Sequence, residues 1–162
     1  MEKAYLPSVM ADTLLLVRKL AKNSKIDVIT EVEEPIPLLS IDRERIKQVF
    51  LNLFLNAIQA MDKGGTLSVK IFRVKAEDSM IAKDSVRTMI SDTGRGIDPE
   101  DLPYIFDPFF SRRSSGCGLG LAIAHNIITE HKGRINVVSI PGEGSTFYFD
   151  IPIDQGEEII KT

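Results

Sequence analysis

The stretch from Met89 to Gly120, MISDTGRGIDPEDLPYIFDPFFSRRSSGCGLG, constrains this chain more than any other. An apolar run ends in an acid, Asp92, and a Gly-x-Gly turn follows at Gly94 and Gly96. A second glycine cluster, Gly116, Gly118 and Gly120, then opens an amphipathic run. Glycine lets the backbone approach a ligand and present bare N–H groups. A helix starting after Gly120 would add its positive N-terminal dipole to the same anion. Two such turns facing a shared space imply a bound phosphate ester, so a nucleotide pocket is the first hypothesis.

The rest of the chain supplies elements to build that pocket. Pro7-Ser8 reads as a helix entry with Ser8 at the N-cap, and Val9, Thr13, Leu16, Val17 and Leu20 recur at helical spacing to about Asn23. Ile26, Val28, Thr30 and Val32 alternate as a half-buried strand, broken by Pro35 and Pro37, and Leu38-Leu39 is a short extended piece. Asp42 stands as N-cap of a long helix, RERIKQVFLNLFLNAIQAM, stopped by Gly64-Gly65. Its apolar stripe is Ile46, Val49, Phe50, Leu53, Ala57, Ile58 and Met61. A polar line, Arg45, Gln48, Asn52, Asn56, Gln59 and Lys63, stacks on another side. A solvated face explains such a line equally well for any single helix. Asn52 and Asn56, however, lie among Leu51, Phe54 and Leu55, and Asn is a mediocre helix former.

Leu67, Val69 and Ile71 mark a strand, 75–84 is a polar loop, and Ser85–Ile90 is a strand running into Asp92. Pro99, Pro103 and Pro108 impose short turns. A helix over Leu119–Glu130 ends near Lys132-Gly133 in the manner of a glycine cap. Two strands, Arg134–Ile140 and Thr146–Pro152, are joined by a PGEGS hairpin, and 154–162 is a charged tail. The expected fold is α+β: a two-layer sandwich in which three main helices cover one face of an about five-stranded mixed sheet.

At 162 residues the chain is expected to form one domain. A net charge of −3, with Lys and Arg scattered, argues against a nucleic-acid partner. The single cysteine, Cys117, forms no internal disulfide, which fits a reducing cytoplasmic compartment. No apolar run reaches the ~18 residues of a membrane span, so no membrane contact by this domain is expected. His125 and His131 read as ordinary helix residues, lacking further ligands at metal spacing.

Four segments together resemble the ATP-binding domain of bacterial sensor histidine kinases. NLFLNAIQAM (52–61) is similar to the N box, SDTGRGI to the G1 box (92–97), FDPFFS (106–111) to the F box, and GCGLGLAIAHNII to the G2 box (116–121). GEGSTFYFDIP is similar to the last strand of that family. Four motifs in order are far more specific than one glycine turn. The resemblance implies a Bergerat-type ATP-binding domain over 1–153, with a lid at 107–118. It implies ATP and Mg²⁺ as cofactors, and Asn56 as the Mg²⁺ ligand, in keeping with the oxygen donors that ion takes. Asp92 is expected to accept from the adenine amine, with Thr146 supporting that contact, although a plain strand threonine is an equal reading of Thr146 alone. Gly94, Gly96 and Ile97 would close over base and ribose. Phe110, Arg113, Leu119 and Leu121 would line the nucleotide. Gly116, Gly118 and Gly120 would hinge the lid and contact phosphate.

Two departures stand out: Arg112-Arg113 follow FFS where the family often has Lys, and Cys117 replaces a Thr between glycines. Arg113 still neutralises phosphate, even bidentately. The ATPases of the wider superfamily place a Glu one turn before the N-box Asn, to activate water. Asn52 stands there instead and accepts no proton. Asn56, Asn52 and Arg113 are thus the residues that bear on the reaction, and transfer to a protein is favoured over hydrolysis. The family's H box, which carries the acceptor histidine, is absent. The chain therefore reads as a monomeric catalytic domain whose partners are a helical dimerisation domain bearing that histidine and a response regulator. The alternative is an anti-sigma-type serine kinase, or another ATPase of the superfamily; for the serine kinase the expected Glu is missing.

Overall fold

The computed structural model describes residues 1–110 and 119–153. The chain runs through β1 (Glu2–Ala4), α1 (Leu6–Asn23), β2 (Ile26–Val32), β3 (Leu39–Ile41) and α2 (Arg43–Ala60). It continues with β4 (Gly65–Val74), β5 (Ser85–Asp92), α3 (Gly120–Glu130), β6 (Arg134–Ile140) and β7 (Gly144–Pro152). Five strands form the main sheet in the order β2-β4-β5-β7-β6. β2 and β4 run parallel, and every other pairing is antiparallel. The parallel pair requires the crossover through β3 and α2, which lays α2 across the sheet. The architecture is the expected two-layer sandwich with a mixed five-stranded sheet.

Alternation along the strands decides what each face does. Leu67, Val69 and Ile71 of β4, Val86 and Ile90 of β5, and Phe147, Phe149 and Ile151 of β7 are buried under the helices. Phe50 of α2 joins the layers, with its ring 5.6 Å from Phe54 and 5.8 Å, edge-on, from Phe149. The opposite face carries a polar assembly. The buried carboxylate of Asp150 accepts from Arg87 Nε (2.7 Å) and Nη2 (2.9 Å), and from the Met80 N–H (2.9 Å). The segment 75–84 is therefore more than a solvated connection: it folds back over β5 and β7 and supplies part of this bonding, with Arg87 Nη2 also donating to the Asp78 carbonyl.

Several local expectations are corrected. α1 starts at Leu6, with Tyr5 in the capping position and Pro7 in the first turn. The Ser8 hydroxyl donates to the Tyr5 carbonyl rather than capping the helix as an acceptor. The buried stripe of α1 includes Leu6, Val9, Met10, Leu14, Val17 and Ala21. Leu16 and Leu20, expected inside, are 60% and 45% exposed. Both sets satisfy helical spacing on adjoining faces, and only the packing against α2 selects between them. The left-handed residue that ends α3 is Lys132, with φ +63, one position before the expected glycine. β1, too short to show periodicity, pairs antiparallel with β3. Among the described residues no helix is long and apolar enough to cross a membrane.

Candidate functional site

α2 carries the two asparagines. Asp42 caps it as expected, its carboxylate accepting from the Arg45 N–H at 3.3 Å, and the whole predicted apolar stripe is buried. Asn52 and Asn56 are half-buried on the adjoining side. They differ in their bonding. Asn52 Nδ2 donates to the Gly120 carbonyl at 3.1 Å, which ties the start of α3 to the middle of α2. The Asn56 side chain has no hydrogen-bond partner among the described residues, so its carboxamide oxygen is available to a ligand.

The turn after β5 is built against the end of the same helix. Arg95 donates its N–H to the Ala60 carbonyl (3.1 Å) and its guanidinium to the Gln59 carbonyl (3.3 Å), using acceptors that a helix terminus leaves unpaired. A Cβ at Gly94 would lie 2.3 Å from the Ala60 oxygen. Gly96, at φ +73, would place one 2.3 Å from the Ile140 oxygen. Both positions therefore require glycine for the backbone approach itself. From the other side the Gly142 N–H donates to the Arg95 carbonyl at 2.7 Å. The turn is thus clamped between α2, one helical turn beyond Asn56, and the β6–β7 hairpin.

Asp92 closes β5 and is 6% exposed. Its Oδ1 accepts from the Gly94 N–H at 2.9 Å, so the acid also shapes its own turn. In the β5–β7 register Asp92 lies opposite Ser145, and Ser91 lies opposite Thr146. Register partners share a face, so Ser145, also 6% exposed, is beside Asp92 on the helix side. Thr146 is on the other face, bonded to the Ser91 hydroxyl at 2.8 Å. The expected Thr146 is thus placed on the face away from Asp92, and Ser145 is the register neighbour of that acid. The sequence held the signal: Phe147, Phe149 and Ile151 are the apolar positions of that strand, and Ser145 shares their parity. Ser139 was also overlooked; its hydroxyl accepts from the Ile97 N–H at 2.8 Å.

The remaining residues are placed as follows. Ile97 is half-buried and packs against the core, as do Phe110 and Leu121. The Phe110 ring lies 6.1 Å from Tyr104, whereas Phe109 is exposed, at φ +67. Phe106 is held between His125 of α3 (5.4 Å) and Phe147 of β7 (6.2 Å, edge-on), which anchors the F-box segment on the sandwich. Leu119 caps α3 without a side-chain bond, and Gly120 is its first residue. His131 is structural: Nδ1 donates to the Ile127 carbonyl (2.7 Å), and Nε2 accepts from the Asp42 N–H (3.0 Å), joining the end of α3 to the cap of α2. Arg113, Gly116 and Gly118, with Arg112, Cys117 and most of the expected lid, lie outside the described residues.

These features form one arrangement: an asparagine oxygen with no partner among the described residues, a buried carboxylate at the end of β5, and a backbone turn too close for side chains. Comparison with known proteins identifies the family. Residues 41–155 match the family described as histidine kinase-, DNA gyrase B- and HSP90-like ATPase. The chain is 36% identical, over 98% of its length, to the signal transduction histidine-protein kinase AtoS of Escherichia coli strain K12, covering 25% of that protein. The chain spans between about a fifth and two fifths of the length of the curated relatives it matches. Its fold is similar to the catalytic domain of histidine kinase ThkA, with a TM-score of 0.78 and 30% identity, covering 94% of this chain and 96% of that one. It is also similar to ThkA in a complex with the response regulator TrrA, with a TM-score of 0.77, 28% identity, and coverage of 94% of this chain and 42% of that one. The chain therefore belongs to the histidine kinase-, DNA gyrase B- and HSP90-like ATPase family, among the catalytic domains of histidine kinases.

Proposed function

We propose that residues 1–153 bind Mg-ATP and transfer its γ-phosphoryl group to a histidine on a separate helical dimerisation domain, from which a response regulator takes it. The observation that supports this reading is the clamped turn, which ties the segment after the buried Asp92 to the end of α2, one helical turn beyond Asn56. Asp92 accepts from the adenine amine beside its bond to Gly94; a carboxylate offers about four acceptor sites. Asn56 supplies an oxygen to Mg²⁺, which when bound neutralises phosphate charge. Arg113 adds a cation to the same phosphates.

Asn52 has a second role in this reading. It has no proton-accepting carboxylate to activate water, and its amide is already engaged with Gly120. An imidazole nitrogen needs no such base: its lone pair forms the N–P bond while the β–γ bridging oxygen leaves with ADP. The domain therefore mainly positions the γ-phosphate and stabilises its charge. The pairing of ThkA with the response regulator TrrA supports the final partner.

The test is transfer in trans. Incubated with labelled ATP and a separately made helical domain bearing a histidine followed by an acid, the chain is expected to label that histidine. The product should be acid-labile and base-stable, and the chain alone should show very low hydrolysis. Rapid hydrolysis by the domain alone, or a labelled serine, would replace this reading with the ATPase or serine-kinase branch.

Asn56→Ala is expected to suppress transfer and to weaken ATP binding in Mg²⁺ by roughly tenfold, the loss of one ligand to a charged group. Binding in EDTA should stay near the unmodified value. Equal losses with and without Mg²⁺ would make Asn56 a structural residue.

A further inference from the structure

The hydroxyl of Ser139 on β6 is fully committed, and the way it is committed determines what its neighbour can do. It accepts from the Ile97 N–H at 2.8 Å, donates to the Gly144 carbonyl at 3.1 Å, and lies 2.8 Å from Ser145 Oγ. A hydroxyl has one proton and two lone pairs. Between Ser139 and Ser145 either hydroxyl can be the donor; when Ser139 gives its proton to Gly144 and one lone pair to Ile97, it accepts from Ser145. In that arrangement Ser145 donates away from Asp92, and its own lone pairs remain for the side it shares with that carboxylate. Register partners on one face stand about 4.5–5.5 Å apart at Cβ, close enough for both to meet one ligand group.

We propose that Ser139 is a positioning residue for base selection: by taking the Ser145 proton it keeps Ser145 an acceptor, so that Asp92 and Ser145 together form a pair of acceptors. An exocyclic amine such as that of adenine offers two protons to such a pair. The guanine carbonyl at the same place meets two acceptors and is repelled. Ser139 does this without touching the base. The same hydroxyl holds the end of the glycine turn, at Ile97, to the β6–β7 hairpin. The inference rests on the adenine assignment made for Asp92 above.

The test is a calorimetric comparison of ATP and GTP binding in the whole chain. Ser139→Ala frees the Ser145 proton to rotate toward the base, where it suits a carbonyl. ATP affinity is expected to fall about fivefold and the ATP-over-GTP preference about tenfold, a change set by one hydrogen-bonding group. Ser139→Thr keeps the hydroxyl and is expected to restore the preference. Because Ser139 acts through Ser145, the preference in Ser145→Ala should not change further when Ser139→Ala is added; a residue that only braces the fold would give an additive loss. Should Ser139→Ala fail to fold, Ser145→Ala alone must narrow the preference. An unchanged ATP-to-GTP ratio in Ser139→Ala, or an equal loss of both nucleotides, overturns the proposal while leaving the Asp92 assignment standing. If the unmodified chain shows no preference for ATP, it is the Asp92 assignment that fails.

Discussion

Asp92→Ala is expected to weaken ATP binding by about tenfold to a hundredfold, the loss of one hydrogen bond to a charged acceptor worth about 1.5–3 kcal/mol. The alanine also releases the Gly94 N–H, which Asp92 Oδ1 accepts at 2.9 Å, so part of the loss would come from a looser turn. Asp92→Asn separates the two contributions. Its carboxamide oxygen still accepts from Gly94 and keeps the Asx geometry, but an amide donor replaces the other acceptor. Asp92→Asn is therefore expected to lose ATP nearly as fully as Asp92→Ala while gaining on GTP. Titration of both variants with both nucleotides decides it: if Asp92→Asn binds ATP like the unmodified chain, Asp92 shapes the turn and does not read the base.

The second large effect is on stability and comes from the far side of the sheet. Asp150 is 0% exposed and accepts from both ends of the Arg87 guanidinium fork and from the Met80 amide. The hydrogen bond to Asp150 holds the Arg87 pKa above its usual value, against burial, which lowers it. Removing one member of a buried pair strands the other, at a typical cost of about 3–5 kcal/mol. The Arg87 side chain is 18% exposed and can turn partly toward water, which puts Asp150→Ala near the lower end, about 3 kcal/mol. Urea denaturation should show that loss. ATP affinity of the folded protein should stay unchanged, because Asp150 and Asp92 lie on opposite faces of the sheet. A stability change under about 1 kcal/mol would mean that the pair is no stronger than a surface ion pair.

The two residues also mark how far a sequence reading reaches. Asp92 stands out as a candidate because its signal sits inside one short segment: an acid, two glycines and an apolar strand within eight residues. The same holds for the Asp42 cap, the apolar stripe of α2 and the hairpin between β6 and β7, all set by bonds between near neighbours in the chain. The Arg87–Asp150 pair joins positions 63 residues apart, and nothing in either neighbourhood points to the other.

What the sequence by itself determined, then, was which of the longer segments are helix or strand, the two-layer class, and the glycine turns as a nucleotide candidate. Tertiary structure decided which face each side chain takes and which hydroxyls meet. Leu16 and Leu20 satisfied helical spacing yet point outward, because α2 packs against the adjoining stripe. The β1–β3 pairing depends on a long-range register that three-residue strands do not announce. Ser145 rather than Thr146 stands by Asp92 because a strand alternates with period two, so one residue of parity moves a side chain through the sheet. Asn52 carried its missing carboxylate in plain view, but its bond to Gly120, 68 residues on, exists only once α2 and α3 are packed. Local chemistry is encoded where the chain's own neighbours complete it; a contact completed by a distant segment is set by the free energy of the whole packed arrangement.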